Sequence, residues 1–184
     1  MSFITEYLKH PRSIGAIAPS GKNLAKKMVQ PINFNTTKVI VEYGPGTGSF
    51  TKELIARRNK KTTLIIIERN DTFYEQLKKE LSGQKNLHLI HGSAENVVKY
   101  LDKYGFRHAD YIISGLPFSS LPKNISSNIL EATQIAIGKN GQFITFQYSL
   151  VKKKLFEKYF TIIKCPRVMR NLPPAFVFVM ENKK

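Results

Sequence analysis

The sequence predicts a doubly wound α/β fold: a mostly parallel sheet with helices on both faces. Short apolar runs rich in β-branched residues alternate with amphipathic stretches of helical length, the pattern of consecutive βα units. One run, Thr63 to Ile67, is apolar without interruption, as expected of a strand covered on both faces. Another, Val39-Ile40-Val41, breaks at once into glycines at 44, 46 and 48 and then into polar residues that open a helix, so it reads as strand, tight turn and helix start.

The elements follow in order. Ser2 to Lys9 sets Phe3, Ile4, Tyr7 and Leu8 on one helical face, and His10-Pro11 ends it because the residue before proline is pushed out of helical geometry. This segment reads as a lid or interfacial helix, or as an element packed on the domain. Ser20 then caps a helix to about Gln30, with Leu24, Ala25, Met28 and Val29 inward. The glycine turn leads into a helix over Ser49 to Arg58. Glu68 closes the second strand, and Phe73, Leu77 and Leu81 stripe the helix after it. A third strand, Leu87 to Ile90, precedes Ser93, an N-cap that turns the amides of Ala94 and Glu95 toward the ligand side of a helix reaching Lys103. Ala109 to Ser114 is the fourth strand, opening into Gly115-Leu116-Pro117-Phe118-Ser119. A helix from Pro122 to Ile137, a strand over Phe143 to Tyr148, a helix from Leu150 to Tyr159 and two closing strands, Phe160 to Cys165 and Ala175 to Met180, complete the chain.

With 184 residues the chain reads as one domain, 1–184, with 1–37 as helical extension or lid and 38–184 as the catalytic sheet core. No apolar run is long enough to span a bilayer and no signal peptide is visible, so a cytoplasmic protein is expected. The single cysteine, Cys165, excludes an internal disulfide, and the four histidines show no metal-ligand spacing, so no metal is implied. Lysine and arginine number 29 against 13 acidic residues, a net charge of +16. That excess favours a polyanionic partner, nucleic acid or an anionic membrane surface, or serves only as a solvated basic surface.

The glycine turn carries the chemistry. Glycine is needed where the backbone visits angles a Cβ forbids and where a ligand lies almost on the main chain. A dinucleotide fingerprint would place Ser49 where its third small residue belongs, and a P-loop would need a Lys-Ser or Lys-Thr pair that is missing. The arrangement E-x-G-x-G-x-G, from Glu42 through Gly44, Pro45 and Gly46 to Gly48, fits without exception. A carboxylate at that mouth repels pyrophosphate and suits a ligand with an ammonium or sulfonium group. Glu68, about twenty residues beyond the loop, stands where an acidic side chain accepts hydrogen bonds from ribose hydroxyls.

These residues resemble motif I of the class I S-adenosylmethionine (SAM) methyltransferases, and Ser114-Gly115-Leu116-Pro117-Phe118 resembles their motif IV. The resemblance implies a Rossmann-like, seven-stranded sheet with an antiparallel last strand. It also implies SAM as cofactor, with S-adenosylhomocysteine as product. Cofactor contacts are then expected from Ser20, Glu42, Gly44, Pro45, Gly46, Gly48, Glu68, Ser93, Ala94, Glu95 and Ser114. Acceptor contacts are expected from Gly115, Leu116, Pro117 and Phe118, with Tyr7 and Tyr148 as proton acceptors. Motif IV of the amino-group enzymes begins with Asn, whose side chain grips the nitrogen nucleophile; here Gly115 takes that place.

Two families share the landmarks. The rRNA adenine dimethyltransferases carry an additional C-terminal helical domain, which a chain ending at Lys184 is expected to lack. The bacterial phospholipid N-methyltransferases match more of the sequence, in PRSIGAIAPSG, SGLPF and NLPPAFVFV. The resemblance therefore implies N-methylation of an amino headgroup such as that of phosphatidylethanolamine, by a monomer peripheral to the inner face of an anionic membrane. An RNA adenine methyltransferase, and a SAM- or RNA-binding protein without turnover, remain alternatives.

Overall fold

Strand β1, Val39–Tyr43, is buried along its whole length, and the sheet grows outward from it. On one side lie β2 (Thr63–Glu68) and β3 (Leu87–His91), on the other β4 (Tyr111–Ser114) and β5 (Gln142–Gln147), all parallel. Beyond β5 the long strand β8 (Ala175–Asn182) runs antiparallel and pairs in turn with β6 (Phe160–Lys164), giving the order β3-β2-β1-β4-β5-β8-β6. The reversed closing strand agrees with the sequence reading. The two-residue β7 (Arg167–Val168), paired with the start of β8, was not foreseen, because two residues carry no periodicity. This computed structural model describes residues 18–169, 171 and 173–183, with side chains from residue 21 onward. The expected helix at Ser2 to Lys9, with Tyr7, lies outside the described residues.

Helices α1 (Ala18–Val29), α2 (Ser49–Arg57), α3 (Asp71–Glu80), α4 (Val97–Lys103), α5 (Lys123–Ile137) and α6 (Lys153–Tyr159) cover the sheet. Alternation along the strands decides which helix each residue meets. Ile40, Leu64, Ile66, Ile113 and Ile144 pack with Leu24, Met28 and Val29 of α1 and Phe50 and Leu54 of α2. Val41, Tyr43, Ile65, Ile67 and Phe143 pack on the opposite face with Val97 of α4, Leu130 of α5 and Phe156 of α6. Two layers of helix on one sheet, each with its own apolar core, leave the ends of the parallel strands as the open edges.

Several boundaries differ from expectation: α1 starts at Ala18, ahead of the expected Ser20 cap, β8 runs on to Asn182, and two further shifts have a visible cause. The fourth strand starts at Tyr111 instead of Ala109, because the Ala109 amide donates to Ala136 O at 2.7 Å while the Asp110 carboxylate accepts from the Lys38 and Val39 amides at 2.7 and 2.8 Å. Helix α6 starts at Lys153 instead of Leu150; the preceding residues form an exposed turn at the end of the sheet where the glycine loop lies.

Candidate active site

The Gly44–Gly48 loop joins β1 to α2 at the carboxyl edge of the parallel strands, the edge where ligands of open α/β sheets bind. Gly44, Gly46 and Gly48 have φ of 56°, 56° and 76°, the left-handed region that glycine reaches without penalty. The Gly44 amide donates to Ile67 O at 2.9 Å, which ties the loop to β2. A Cβ on Gly46 would meet nothing within 4 Å, so the backbone there faces open space.

The loop after β4 lies directly opposite. Gly115 donates its amide to Tyr43 O at 2.8 Å, and a Cβ on Gly115 would stand 2.5 Å from Gly44 O. No side chain fits at 115, which accounts physically for glycine where the amino-group enzymes carry Asn. Ser114 Oγ accepts from the Leu116 amide at 3.2 Å and Gln147 Nε2 reaches Leu116 O at 3.5 Å, so the loop is held from below and from β5. Between the two loops opens a cleft of about 130 Å³ lined by Gly44, Pro45, Gly46, Gly115, Tyr148 and Asn171, with Leu24, Phe50, Phe73 and Phe146 among its apolar walls.

Two carboxyl side chains stand behind the glycine loop. Glu42 is fully buried; its Oε2 accepts from Thr51 Oγ1 at 2.8 Å, whereas Oε1 has no hydrogen-bond partner. Burial pushes its pKa up to about 8; the Thr51 hydroxyl opposes that rise and the Glu68 charge adds to it. The shift favours the protonated carboxyl at neutral pH. Glu68 accepts from the Gly46 amide at 3.1 Å through Oε2 and from the Asn70 amide at 2.8 Å through Oε1. Its carboxylate ties the glycine loop to the turn before α3, and each oxygen retains a lone pair for a further donor.

The structure redistributes several sequence-based expectations. Gly44, Pro45, Gly46, Gly115 and Tyr148 come together at the cleft. Phe118 does not: it is wholly buried, edge-on to Phe143 and Phe156 in the core, because the turn after Pro117 swings its ring under α5 and α6, so it cannot pack on an acceptor. Ser114 is likewise fully buried, and its hydroxyl is engaged in the loop's own turn and not at the cleft. Ser93 caps the Glu95 amide at 3.3 Å and donates to Glu95 Oε2 at 2.9 Å, while Asn128 Nδ2 donates to Glu95 Oε1 at 2.9 Å; both oxygens of Glu95 are thus engaged beside the buried Ala94. Gly48 N-caps α2, Leu116 and Pro117 form the loop shoulder, and Ser20 lies within α1. Sequence reasoning missed Asn171 and Thr51. Asn171, 4% exposed in the cleft wall, donates Nδ2 to Pro173 O at 2.7 Å; the only sequence signal for it was its place in NLPPAFVFV.

Residues 20–159 match the family described as ribosomal RNA adenine dimethylase. The chain belongs to this family. It is 28% identical to an ornithine lipid N-methyltransferase of Singulisphaera acidiphila over 99% of this chain and 95% of that protein. It is 26% identical to a ribosomal RNA small subunit methyltransferase A of a Sulfurihydrogenibium species over 82% of this chain, and 31% identical to that of Mycoplasma capricolum over 62%. The chain spans only 54% and 40% of those two proteins. A SAM-dependent methyltransferase from Aquifex aeolicus superposes with a TM-score of 0.71 at 12% identity, covering 91% of this chain and 95% of that one. Relatives and fold neighbours are thus SAM-dependent methyltransferases, and the chain is an enzyme of that class. Among the described residues no cluster of His, Cys, Asp or Glu is built to hold a metal, and no helix is long and apolar enough to cross a membrane.

The residues present fit SAM on two observations: the orphaned Oε1 of buried Glu42 behind the loop, and the side-chain-free face of Gly46. A cationic ligand on that face would meet bare main chain backed by two carboxyl groups.

Proposed function

We propose that this protein methylates the amine of a lipid headgroup, with SAM in the Gly44–Gly46 cleft and the acceptor entering between the Gly115 loop and Asn171. The carrying observation is the cleft itself, glycine loop against proline-bearing loop, in a chain that matches a lipid N-methyltransferase over nearly its full length. When bound, SAM supplies a sulfonium methyl group that departs from a good leaving group. The chain's own task is then mainly to hold two reactants in near-attack geometry. The Gly44 and Gly115 loops, pressed to contact, set that separation. Phe50, Phe73 and Phe146 exclude water. Phosphatidylethanolamine and ornithine lipids both offer alkylamines, with a pKa of about 10, that must shed a proton before attack. Tyr148, in the cleft wall, is the residue assigned to accept the ammonium's hydrogen bond and relay its proton to water. Incubation with radiolabelled SAM and phosphatidylethanolamine, ornithine lipid or RNA tests this: label in a lipid amine is expected, and label in RNA alone would replace the reading by its RNA alternative.

Glu68→Ala is expected to weaken SAM binding by about 1–3 kcal/mol, because it removes the ribose acceptors and also leaves the Gly46 and Asn70 amides unpaired. Calorimetry reads the loss, and an unchanged affinity would refute the assignment.

Asn171 takes over the role that no side chain at 115 can fill. With Nδ2 pinned on Pro173 O, its carbonyl oxygen is the acceptor for an incoming N–H. Asn171→Ala is expected to lower kcat about tenfold or more while SAM affinity stays within about twofold, the split of a group that meets the acceptor and not the cofactor. Parallel loss of both would mark Asn171 as structural.

A further inference from the structure

Among the described residues, three of the five exposed large apolar side chains gather at the end of the sheet that bears the cleft. Leu150 and Val151, on the turn between β5 and α6, are 46% and 80% exposed, and Met169, just past β7, is 63% exposed. The pairing register brings these segments together: Gln147 lies opposite Phe176 and Phe176 opposite Arg167, so the chain beyond Gln147 and the chain beyond Val168 leave the sheet on either side of the start of β8. Tyr148 and Asn171, at the roots of the two segments, line the cleft.

Single exposed apolar side chains are ordinary, but a group of them at the mouth of a site is not. Cations ring this one. Lys152, Lys153 and Lys154 follow Val151 directly, Arg167 precedes Met169 with its guanidinium over the Phe176 ring at 5.6 Å, and Lys123 opens α5 from the same end of the sheet. Lys153 reaches Glu157, one turn into α6, at 3.5 Å. Aliphatic tips inside a lysine collar match a surface whose outer layer is anionic and whose next layer is hydrocarbon. Nucleic acid would satisfy the lysines but offers nothing to Val151 and Met169, since bases stack on aromatic rings and not on aliphatic tips.

We propose that the Ser149–Lys154 turn and the Met169 segment form a membrane-docking edge. Leu150, Val151 and Met169 enter the acyl layer of an anionic bilayer while Lys152, Lys153, Lys154 and Arg167 meet its headgroups, which sets the cleft mouth against the lipid. The inference deepens the lipid reading of the cleft and rests on it, but its test needs no turnover.

The chain contains no tryptophan, so Val151→Trp in the full chain is a unique reporter. Vesicles of phosphatidylcholine with about a quarter phosphatidylglycerol are expected to shift its emission to the blue, and brominated acyl chains to quench it. Val151→Asp combined with Met169→Asp should lower partitioning onto the same vesicles about tenfold or more. Replacing Lys152, Lys153 and Lys154 by Ala should erase the preference over pure phosphatidylcholine. Melting temperature and SAM affinity should not move in any of these variants. An indole that keeps its water-exposed emission, or vesicle binding indifferent to these substitutions, would overturn the proposal, as would an effect on RNA binding alone. Loss of vesicle binding on substitution, with methyl label found in RNA and in no lipid amine, would uphold the docking edge and remove the lipid reading of the cleft.

Discussion

Gly115→Ala is expected to reduce methyl transfer by about 100-fold, the cost of displacing reacting groups by about 1 Å. The reason is contact and not conformation. Gly115 does not have positive φ, so alanine adopts its backbone freely, yet the new Cβ would lie 2.5 Å from Gly44 O, which is main chain and cannot rotate away. The two loops must part, and the spacing between methyl donor and acceptor widens with them. Gly115→Asn, which writes the usual motif IV into the loop, should be at least as damaging despite supplying the missing side chain. Gly46→Ala offers the contrast: its Cβ meets open space, so its cost is the strained φ of 56°, on the order of 1 kcal/mol, plus obstruction of the ligand face. Turnover beside melting curves tests this. A fully active Gly115→Ala enzyme would show that the close approach of the loops has no part in catalysis.

Glu42 governs a second large effect, on stability as a function of pH. Its folded-state pKa, raised by burial to about 8, lies above the 4.5 of an unperturbed carboxyl, so the folded state holds the proton more tightly than the unfolded chain. Below about pH 4.5 both states are protonated and this contribution is fully present. As pH rises from there toward 8 the unfolded chain ionises first, and stability falls by about 1.4 kcal/mol per pH unit, on the order of 5 kcal/mol in all. Glu42→Gln keeps an acceptor for Thr51 without the ionisation. It should therefore raise the melting temperature at pH 8 to 9 and flatten the profile between pH 5 and 8. Identical profiles for the variant and the native chain would sink this account. A cation bound on the Gly46 face would favour the ionised carboxyl. SAM binding near pH 7 is accordingly expected to release up to one proton, readable as a buffer-dependent heat in calorimetry, and Glu42→Gln should abolish that release.

Much of the fold was legible because its signals are local. Uninterrupted apolar runs marked β1 and β2, the glycine turn marked the start of α2, and the stripe of Phe73, Leu77 and Leu81 marked α3. The closing reversal followed from two strands with no helix between them. Boundaries set by side-chain bonds were not legible: Asp110, which pins the start of β1 from 71 residues away, leaves no periodic trace. The same holds for β7, whose pairing depends on where β8 happens to lie.

At the site, sequence alone determined the chemistry of the loop: three glycines that only positive φ explains, a proline-bearing turn after the fourth strand, and acidic side chains at the ends of two adjacent strands. Those are properties of residue type and spacing. Tertiary structure decided which of them meet. It turned Phe118 into the core and pressed Gly115 so close to Gly44 that no side chain fits. It sealed Glu42 from water until it keeps its proton, and it carried Asn171 across the sheet into the cleft wall. Distance, burial and the direction of a side chain arise only when strands far apart in the chain are set side by side, and linear order does not contain them.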